Sequence, residues 1–563
     1  MSRLATNLDS IKARYDVIVV GSGYGGGVSA ARLARAGKKV CVLERGREFV
    51  TGEFPSRFPD MRNEMQVTGK RFKTGKPTAL YDVRLGEDMH ILVGCGLGGG
   101  SLVNAGVSLR PDARVFADEV WPGQIRQDGL LDEGYARARR WLRPMQGPRA
   151  HEMTKFKALA ETSKALGVPP VKAPVAVAFA ETVNPAGIAQ PACTNCGDCV
   201  GGCNVGAKNT VALTYLPEAR RHGAEIFTEA KVQFVERLAS GDWCVTVERL
   251  DGARDGALVF KIEAPMVILA AGTLGSTEIL LRSRARGLAV SDRLGHRFSA
   301  NGDIIAFGYG AKIPISSIGV GHPKKIDGYD VGASVSGQIE IVDPNDLSHS
   351  MTIQEGAMPS ALAPILPVMF VPNGRILGAL QSLVSGVYKG PFQSLQTFFA
   401  VSHDSASGRF QLDDDRLSLS WPTAKDEPVY ARLDAALEKI VSAAGGSYVK
   451  NPMAGTVMGH QPATAHPLGG CGMGADRAGG VVDHCGRVFD GRSSAGSTDV
   501  LGGLYVIDGS IIPRSLGCNP LLTITALAER AMLHFGRETG ADMTDDDRYG
   551  GRPMTVVAPG AVA

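Results

Sequence analysis

VIVVGSGYGGGVSAARLARAGKKVCVLERG, Val17 to Gly46, is the stretch that decides the fold. VIVV is a β-branched run with the composition of a buried parallel strand. Gly21, Gly23 and Gly26 follow as G-x-G-x-x-G, VSAARLARAG reads as a helix ended by Gly37, and KVCVLERG reads as a second strand closing on Glu44. Each part has a physical task. Gly21 permits the tight turn, Gly23 lets the backbone approach a pyrophosphate, and Gly26 lets the helix pack closely on the strand. The helix N-terminus offers amide donors and partial positive charge, and Glu44 can accept from ribose hydroxyls. Strand, glycines, helix, strand and acid in this order predict a dinucleotide cradle in an α/β, Rossmann-like domain. The stretch alone does not separate NAD from FAD.

The chain around it has 563 residues, too long for one compact core. Apolar residues make up 44% and charged residues 21%, an ordinary globular balance. A net charge of +3 without a basic, aromatic-interleaved tract argues against nucleic acid. The start, MSRLATNLDSIKARYDVIVV, lacks a cleavable apolar segment, and no run of about 18 uncharged apolar residues occurs. Four of the ten cysteines are crowded between Cys193 and Cys203 and the rest are scattered, which is no small-domain disulfide framework. A reducing, cytoplasmic location is the expectation.

A second glycine cluster, GCGLGGGSLVNAGV, spans Gly94 to Val107. Such a loop lets backbone amides lie against a flat or charged ligand, or packs tightly for shape alone. With the first fingerprint, AAGTLGSTEILLRS (Ala270 to Ser283), and the C-terminal HPLGGC and DGSIIPRSLGCNPLLTITALAER, it resembles the glucose–methanol–choline (GMC) flavin oxidoreductases, nearest the cholesterol-oxidase-like branch. The resemblance implies a Rossmann-like FAD domain with a discontinuous α+β substrate domain built on an antiparallel sheet. It implies that Gly98, Gly99, Ser101 and Asn104 line FAD and that Val232 meets adenine through its backbone. Gly272 then lies near the nucleotide, and Asp508 and Gly509 near the ribityl and pyrophosphate. Gly94, Cys95 and Gly96 stand where some relatives carry a flavin-linking histidine, so FAD is expected to be non-covalent, with His90 a weak alternative tether.

The resemblance also places the family's catalytic histidine at His466, in TAHPLGGCGMG, and its asparagine at Asn519, before Pro520. Pro467 restricts His466 to an extended backbone. An imidazole can take the hydroxyl proton as hydride leaves the alcohol carbon for flavin N5. Asparagine cannot act as a base but can orient the alcohol oxygen. A carboxylate is expected in the substrate domain; MTIQEGAMP offers Glu355, while a one-residue slip offers Gln354 instead.

CTNCGDCVGGCNVGAKNT sets Cys193, Cys196, Cys199 and Cys203 at the spacing C-x₂-C-x₂-C-x₃-C. Close thiolates repel unless a cation holds them, and this soft set suits an iron–sulfur cluster or zinc. The spacing is that of bacterial ferredoxins, except that Asn204 stands in place of proline. Free or redox thiols are the remaining reading. With a cluster, electrons pass onward to a redox partner protein or quinone; without one, dioxygen is the acceptor.

The expected FAD domain is residues 1–120, 190–300 and 455–563, and the substrate domain 121–189 and 301–454. GRFQLDDD and RLSLSWP alternate like strands of the substrate sheet. ALAPILPVMFVP (Ala361 to Pro372) is apolar and too proline-rich for a regular helix, and with ILGALQSLVSGVY it forms either core or a greasy lid. A lid points to a sterol, a terpenoid or a long-chain alcohol, with transient contact at a membrane surface. The tail RPMTVVAPGAVA reads as extended or loose. The expected activity is FAD-dependent alcohol oxidation. Its rivals are a non-oxidative lyase or photodecarboxylase of the same fold, and an electron carrier without catalysis.

Overall fold

The computed structural model describes residues 3–252, 258–324, 326, 329–371, 382, 386–389, 391–450, 452, 456, 459–545, 551 and 553–555. In chain order, β1 (Val17–Val20), α1 (Tyr24–Arg35) and β2 (Val40–Leu43) come first. After a long excursion come β3 (Glu225–Phe227), β4 (Met266–Leu269) and α2 (Gly272–Ala285). Next are β5 (Ile304–Tyr309), β6 (Gly337–Ile341), β7 (Met351–Gly356), β8 (Gln396–Val401) and β9 (Ser447–Val449). Last are β10 (Arg487–Phe489), β11 (Val500–Val506) and α3 (Leu521–Thr539).

The first sheet runs β3-β2-β1-β4-β11-β10. Its first five strands are parallel, and β10 closes the edge antiparallel to β11. Every residue of β1 and β2 is buried, as strands covered on both faces require. The turn from β1 into α1 is built on glycine. Gly21 has φ +95°, and a Cβ there would stand 2.3 Å from the Ala270 carbonyl oxygen. A Cβ on Gly26 would stand 2.1 Å from the carbonyl oxygen of Gly21, so helix and strand could not close up. α1 also packs on α3 through a buried ion cluster in which Arg32 donates to Glu529 and Asp545.

The second sheet runs β9-β5-β8-β7-β6 and ends on a two-residue strand, Val171–Lys172, with every pair antiparallel. The architecture is thus a Rossmann-like sheet beside an antiparallel substrate sheet. A further sheet pairs Ala463–Thr464 with His90–Gly94 and thereby ties the His466 segment to the second glycine cluster.

One expectation changes here, and two gain detail. Arg409–Asp413 and Arg416–Ser420 form their own two-stranded hairpin rather than joining the substrate sheet. Phe410 is drawn onto Phe298, with ring centroids 4.9 Å apart; alternation identifies a half-buried strand but not its sheet. The apolar stretch after Pro359 is not one regular helix but a 3-10 segment at Ser360–Ile365 followed by a short α-helix at Leu366–Phe370. Pro367 sits in the first turn, where a missing amide hydrogen costs nothing. In the tail, Met554–Thr555 pairs with Ile188 and Ala189. Pro372, most of ILGALQSLVSGVY and the rest of the tail lie outside the described residues.

Candidate active site

One cavity of about 2040 Å³ joins the glycine cradle to the substrate sheet. At the cradle end it is lined by Gly21, Gly23, Glu44, Gly99 and Asn104. Val232, Gly272, Asp508 and Gly509 line it further along, and His466, Asn519 and Gln354 stand at the substrate end.

The cradle fits a dinucleotide. Gly23, Gly100 and Gly272 line the cavity, yet a Cβ added at any of them meets no protein atom within 4 Å, so all three face open space. Gly23 caps α1 without a side-chain bond, and no acidic residue stands in the first turn to compete with an anion. Glu44 accepts from the amides of Ser22 (3.2 Å) and Gly46 (2.8 Å), and its burial pushes the carboxyl above its usual range. Asp508 is likewise raised by burial while it accepts from Gly272 N at 2.9 Å and from Ser276 Oγ and Ser510.

Gly26, Gly98 and Ser101 stand behind the wall rather than on it. Ser101 Oγ donates to the Gly98 carbonyl at 2.6 Å and accepts from Val211 N at 3.0 Å, so it shapes the glycine turn from behind. His90 is buried on the cavity wall at the start of its strand.

His466 and Asn519 come together from segments more than fifty residues apart, with Asn519 Nδ2 at 3.4 Å from His466 Nε2. On the ring's other side, Nδ1 lies 3.2 Å from Asp303 Oδ2. That carboxylate also accepts from Ala465 N at 2.7 Å and Thr464 Oγ1 at 3.2 Å. Asn519 Oδ1 accepts from Gln354 Nε2 at 2.6 Å.

The strand register decides between Gln354 and Glu355. β7 presents Gln354 to the cavity and turns Glu355 to the opposite face. Glu355 is buried there in an ion pair with Lys155 and accepts from Ser336 N (2.9 Å) and Gly337 N (2.7 Å). Burial pushes its carboxyl up to about 7. The expected carboxylate is therefore absent from the cavity at this position, and an amide stands in its place.

Cys193, Cys196, Cys199 and Cys203 are all free thiols. Burial, and charge repulsion from Cys199 and Cys203, raise both Cys193 and Cys196. Among the described residues no three of the quartet's sulfurs lie within 4.8 Å of one another. A lone zinc ion, with Zn–S near about 2.3 Å, needs them closer. A multi-iron cluster spreads its ligands over several metals and meets no such objection. Asn195 N donates to Cys193 Sγ at 3.5 Å and Ser334 N to Cys199 Sγ at 3.4 Å, the kind of amide–sulfur bond that tunes such a cluster. Val200, next to Cys199, lines the main cavity.

Asp303, Tyr24 and Lys208 escaped the sequence reading. Tyr24 Oη accepts from Asn104 Nδ2 at 2.7 Å. Lys208 is buried and donates to the carbonyls of Leu102, Asn104 and Cys199, and burial lowers it to about 8. It pins the second glycine loop to the cysteine turn. AKNT follows the quartet directly, which was a usable signal for Lys208; nothing in SANGDIIAFG marks Asp303.

Comparison with known proteins gives a consistent family. Two family models described as GMC oxidoreductase, N- and C-terminal, match residues 15–300 and 405–528, together more than half of the chain. A cholesterol oxidase of Mycobacterium tuberculosis is 28% identical over 92% of this chain and 91% of its own length. One of Acinetobacter baumannii is 27% identical over 92% of this chain and 94% of its own length. A long-chain-alcohol oxidase of Arabidopsis thaliana is 25% identical over 92% of this chain and 66% of its own length. The crystal structure of a pyridoxine 4-oxidase superposes with a TM-score of 0.58 at 17% identity, covering 93% of this chain and 99% of that one, and so shares the fold.

Proposed function

We propose that this chain oxidises an apolar alcohol with His466 as the base, on the premise that it belongs to the GMC oxidoreductase family and is an FAD-dependent oxidoreductase acting on CH–OH groups. FAD bound along the cradle supplies the two-electron acceptor for the carbon-bound hydrogen. The chain's own residues do the rest. Gly23 and the first turn of α1 would hold the phosphates, Glu44 the ribose, and Asp508 and Gly272 the middle of the cofactor. An alcohol hydroxyl at the substrate end donates to His466 Nε2 and accepts from Asn519 Nδ2. His466 then holds the hydroxyl proton, and Asp303 on Nδ1 stabilises the cation that results.

The observation that carries this reading is the placement of the His466–Asn519 pair on the wall of the same cavity as the dinucleotide cradle. Apolar walls at Val107, Phe307, Met358, Leu362 and Phe399 favour a sterol or long-chain alcohol over a sugar. The test is anaerobic mixing of the flavoprotein with a panel of alcohols. Bleaching with apolar alcohols, lost in His466→Ala, supports the reading; no bleaching with any alcohol removes it.

For the cysteine quartet we propose an iron–sulfur cluster, supported by the ferredoxin spacing and the two amide–sulfur bonds. Such a cluster would accept electrons singly and make the protein a dehydrogenase rather than an oxidase. Anaerobically purified protein should then contain iron and acid-labile sulfide; neither being present sinks this part alone.

A further inference from the structure

We infer that a one-way chain of side-chain amides, running from Glu340 through Gln338 and Gln354 to Asn519, sets which nitrogen of His466 carries the proton. The inference rests on the reading of His466 as the base.

The argument starts at the exposed end of the chain. Glu340 is exposed on β6, and its carboxylate can only accept. Gln338 lies two residues earlier, on the same face of the strand, and donates Nε2 to it. That orientation leaves Gln338 Oε1 to accept. Gln354 on β7 is directly opposite Gln338 in the sheet register. Its Nε2 carries two hydrogens, one directed at Gln338 Oε1 (3.3 Å) and one at Asn519 Oδ1 (2.6 Å). With its oxygen engaged, Asn519 presents Nδ2 to His466 Nε2.

An amide nitrogen has no lone pair to offer, so Nε2 must accept. A neutral imidazole then carries its one proton on Nδ1, facing Asp303. Reversing any amide in the series would set two donors or two acceptors face to face. Gln338 is fully buried and off the cavity, so solvent does not relieve such a mismatch at its end of the series. The orientation of all three amides therefore follows from the charge at Glu340. Two other charges matter: Lys155 and Glu355 pair with each other behind β7, and Asp303, 3.2 Å from Nδ1, favours the same Nδ1–H tautomer from the ring's other side.

The catalytic consequence is direct. The base lone pair is thus on Nε2, accepting from Asn519 Nδ2 until an alcohol hydroxyl replaces that donor, which frees Nδ2 for the substrate oxygen. The hydroxyl proton passes to Nε2, and the proton already on Nδ1 stays beside Asp303. Glu340, Gln338 and Gln354 are thus positioning residues for the pair.

The test changes the remote, exposed end. Glu340→Lys replaces an acceptor by a donor and should reverse the series, lowering kcat about tenfold with KM and bound-flavin absorbance little changed. Glu340→Gln can still accept and should restore most of the rate. Nitrogen-15 spectra of histidine-labelled protein, with the His466 signal identified by its loss in His466→Asn, should show the Nδ1–H tautomer in the parent and the Nε2–H tautomer in Glu340→Lys. A parent Nε2–H tautomer, or a Glu340→Lys protein that keeps both tautomer and rate, overturns the inference. If the parent oxidises no alcohol, the functional reading fails, and the spectra still decide the amide chain.

Discussion

Asp303 Oδ2 stands 3.2 Å from Nδ1 of His466 while also accepting from the backbone amide of Ala465, so one carboxylate holds both the ring and the chain that carries it. Asp303 precedes β5 of the substrate sheet, whereas His466 follows the short strand Ala463–Thr464 that pairs with the second glycine region. The contact therefore ties the antiparallel sheet to the His466 segment on the cavity wall.

Replacing that carboxylate by an amide keeps its shape and removes its charge. Asp303→Asn should retain flavin and lower kcat by about 10- to 100-fold, because the protonated ring loses its counter-charge while substrate contacts persist. Stopped-flow flavin reduction against alcohol concentration measures it. An unchanged limiting rate would show that Asp303 is only structural.

The glycines divide into two kinds, and mutation should separate them. A Cβ at Gly23 or Gly100 meets only open cavity, whereas one at Gly21 would stand 2.3 Å from a backbone oxygen. Gly100→Val should fold with near-normal thermal stability and lose most bound flavin. Gly21→Val should fail to fold or melt far earlier. Flavin-to-protein absorbance ratio and melting temperature together read this out. Full flavin in Gly100→Val would remove the cradle assignment for the second loop.

Much of this was legible in the chain because it rests on local chemistry. The β1–α1–β2 unit could be read because its glycines, β-branched strand residues and terminal acid are adjacent in sequence. His466 and Asn519 were singled out through the family resemblance of the motifs that carry them, their flanking prolines adding only a restricted backbone. Gln354 and Glu355 were not separable, since which one faces the cavity depends on pairing with β6 and β8, and strand periodicity is blind to it. The Asp303 contact was hidden for the same reason: its partner is set by tertiary packing across more than 160 residues. The 409–420 hairpin shows the limit again, as its alternation was right and its sheet was decided by Phe298.

Arg32 joins α1 to α3 with its side chain fully buried, against Glu529 at 2.6 Å and Asp545 at 2.7 Å. Removing the cation leaves Glu529 buried without its counter-charge and Asp545 with Arg140 alone. Arg32→Met should destabilise by about 3–5 kcal/mol, and adding Glu529→Gln should recover part of the loss. Melting temperatures at one fixed scan rate compare the three proteins. An Arg32→Met protein as stable as the parent would show that the cluster contributes nothing net.

His403 gives the fold an acid-sensitive point. It is buried, Ser515 Oγ lies 3.4 Å from its Nδ1, and Gly517 packs so closely that a Cβ there would stand 2.2 Å from its Nε2. Burial first, and then the nearby Arg514 cation, lower its pKa to about 4. The unfolded chain, with a histidine pKa near about 6.5, takes up the proton before the folded one does. Stability from this group is therefore complete above about pH 6.5 and lost as pH falls toward about 4, by up to about 3 kcal/mol. His403→Gln should reduce that part of the slope, leaving the share due to His484, also lowered to about 4, and to His222, His296 and His534, which burial lowers too. Urea unfolding at about pH 7.5 and about pH 5 measures the slope for both proteins. Identical slopes would mean that His403 is protonated in the folded chain without penalty.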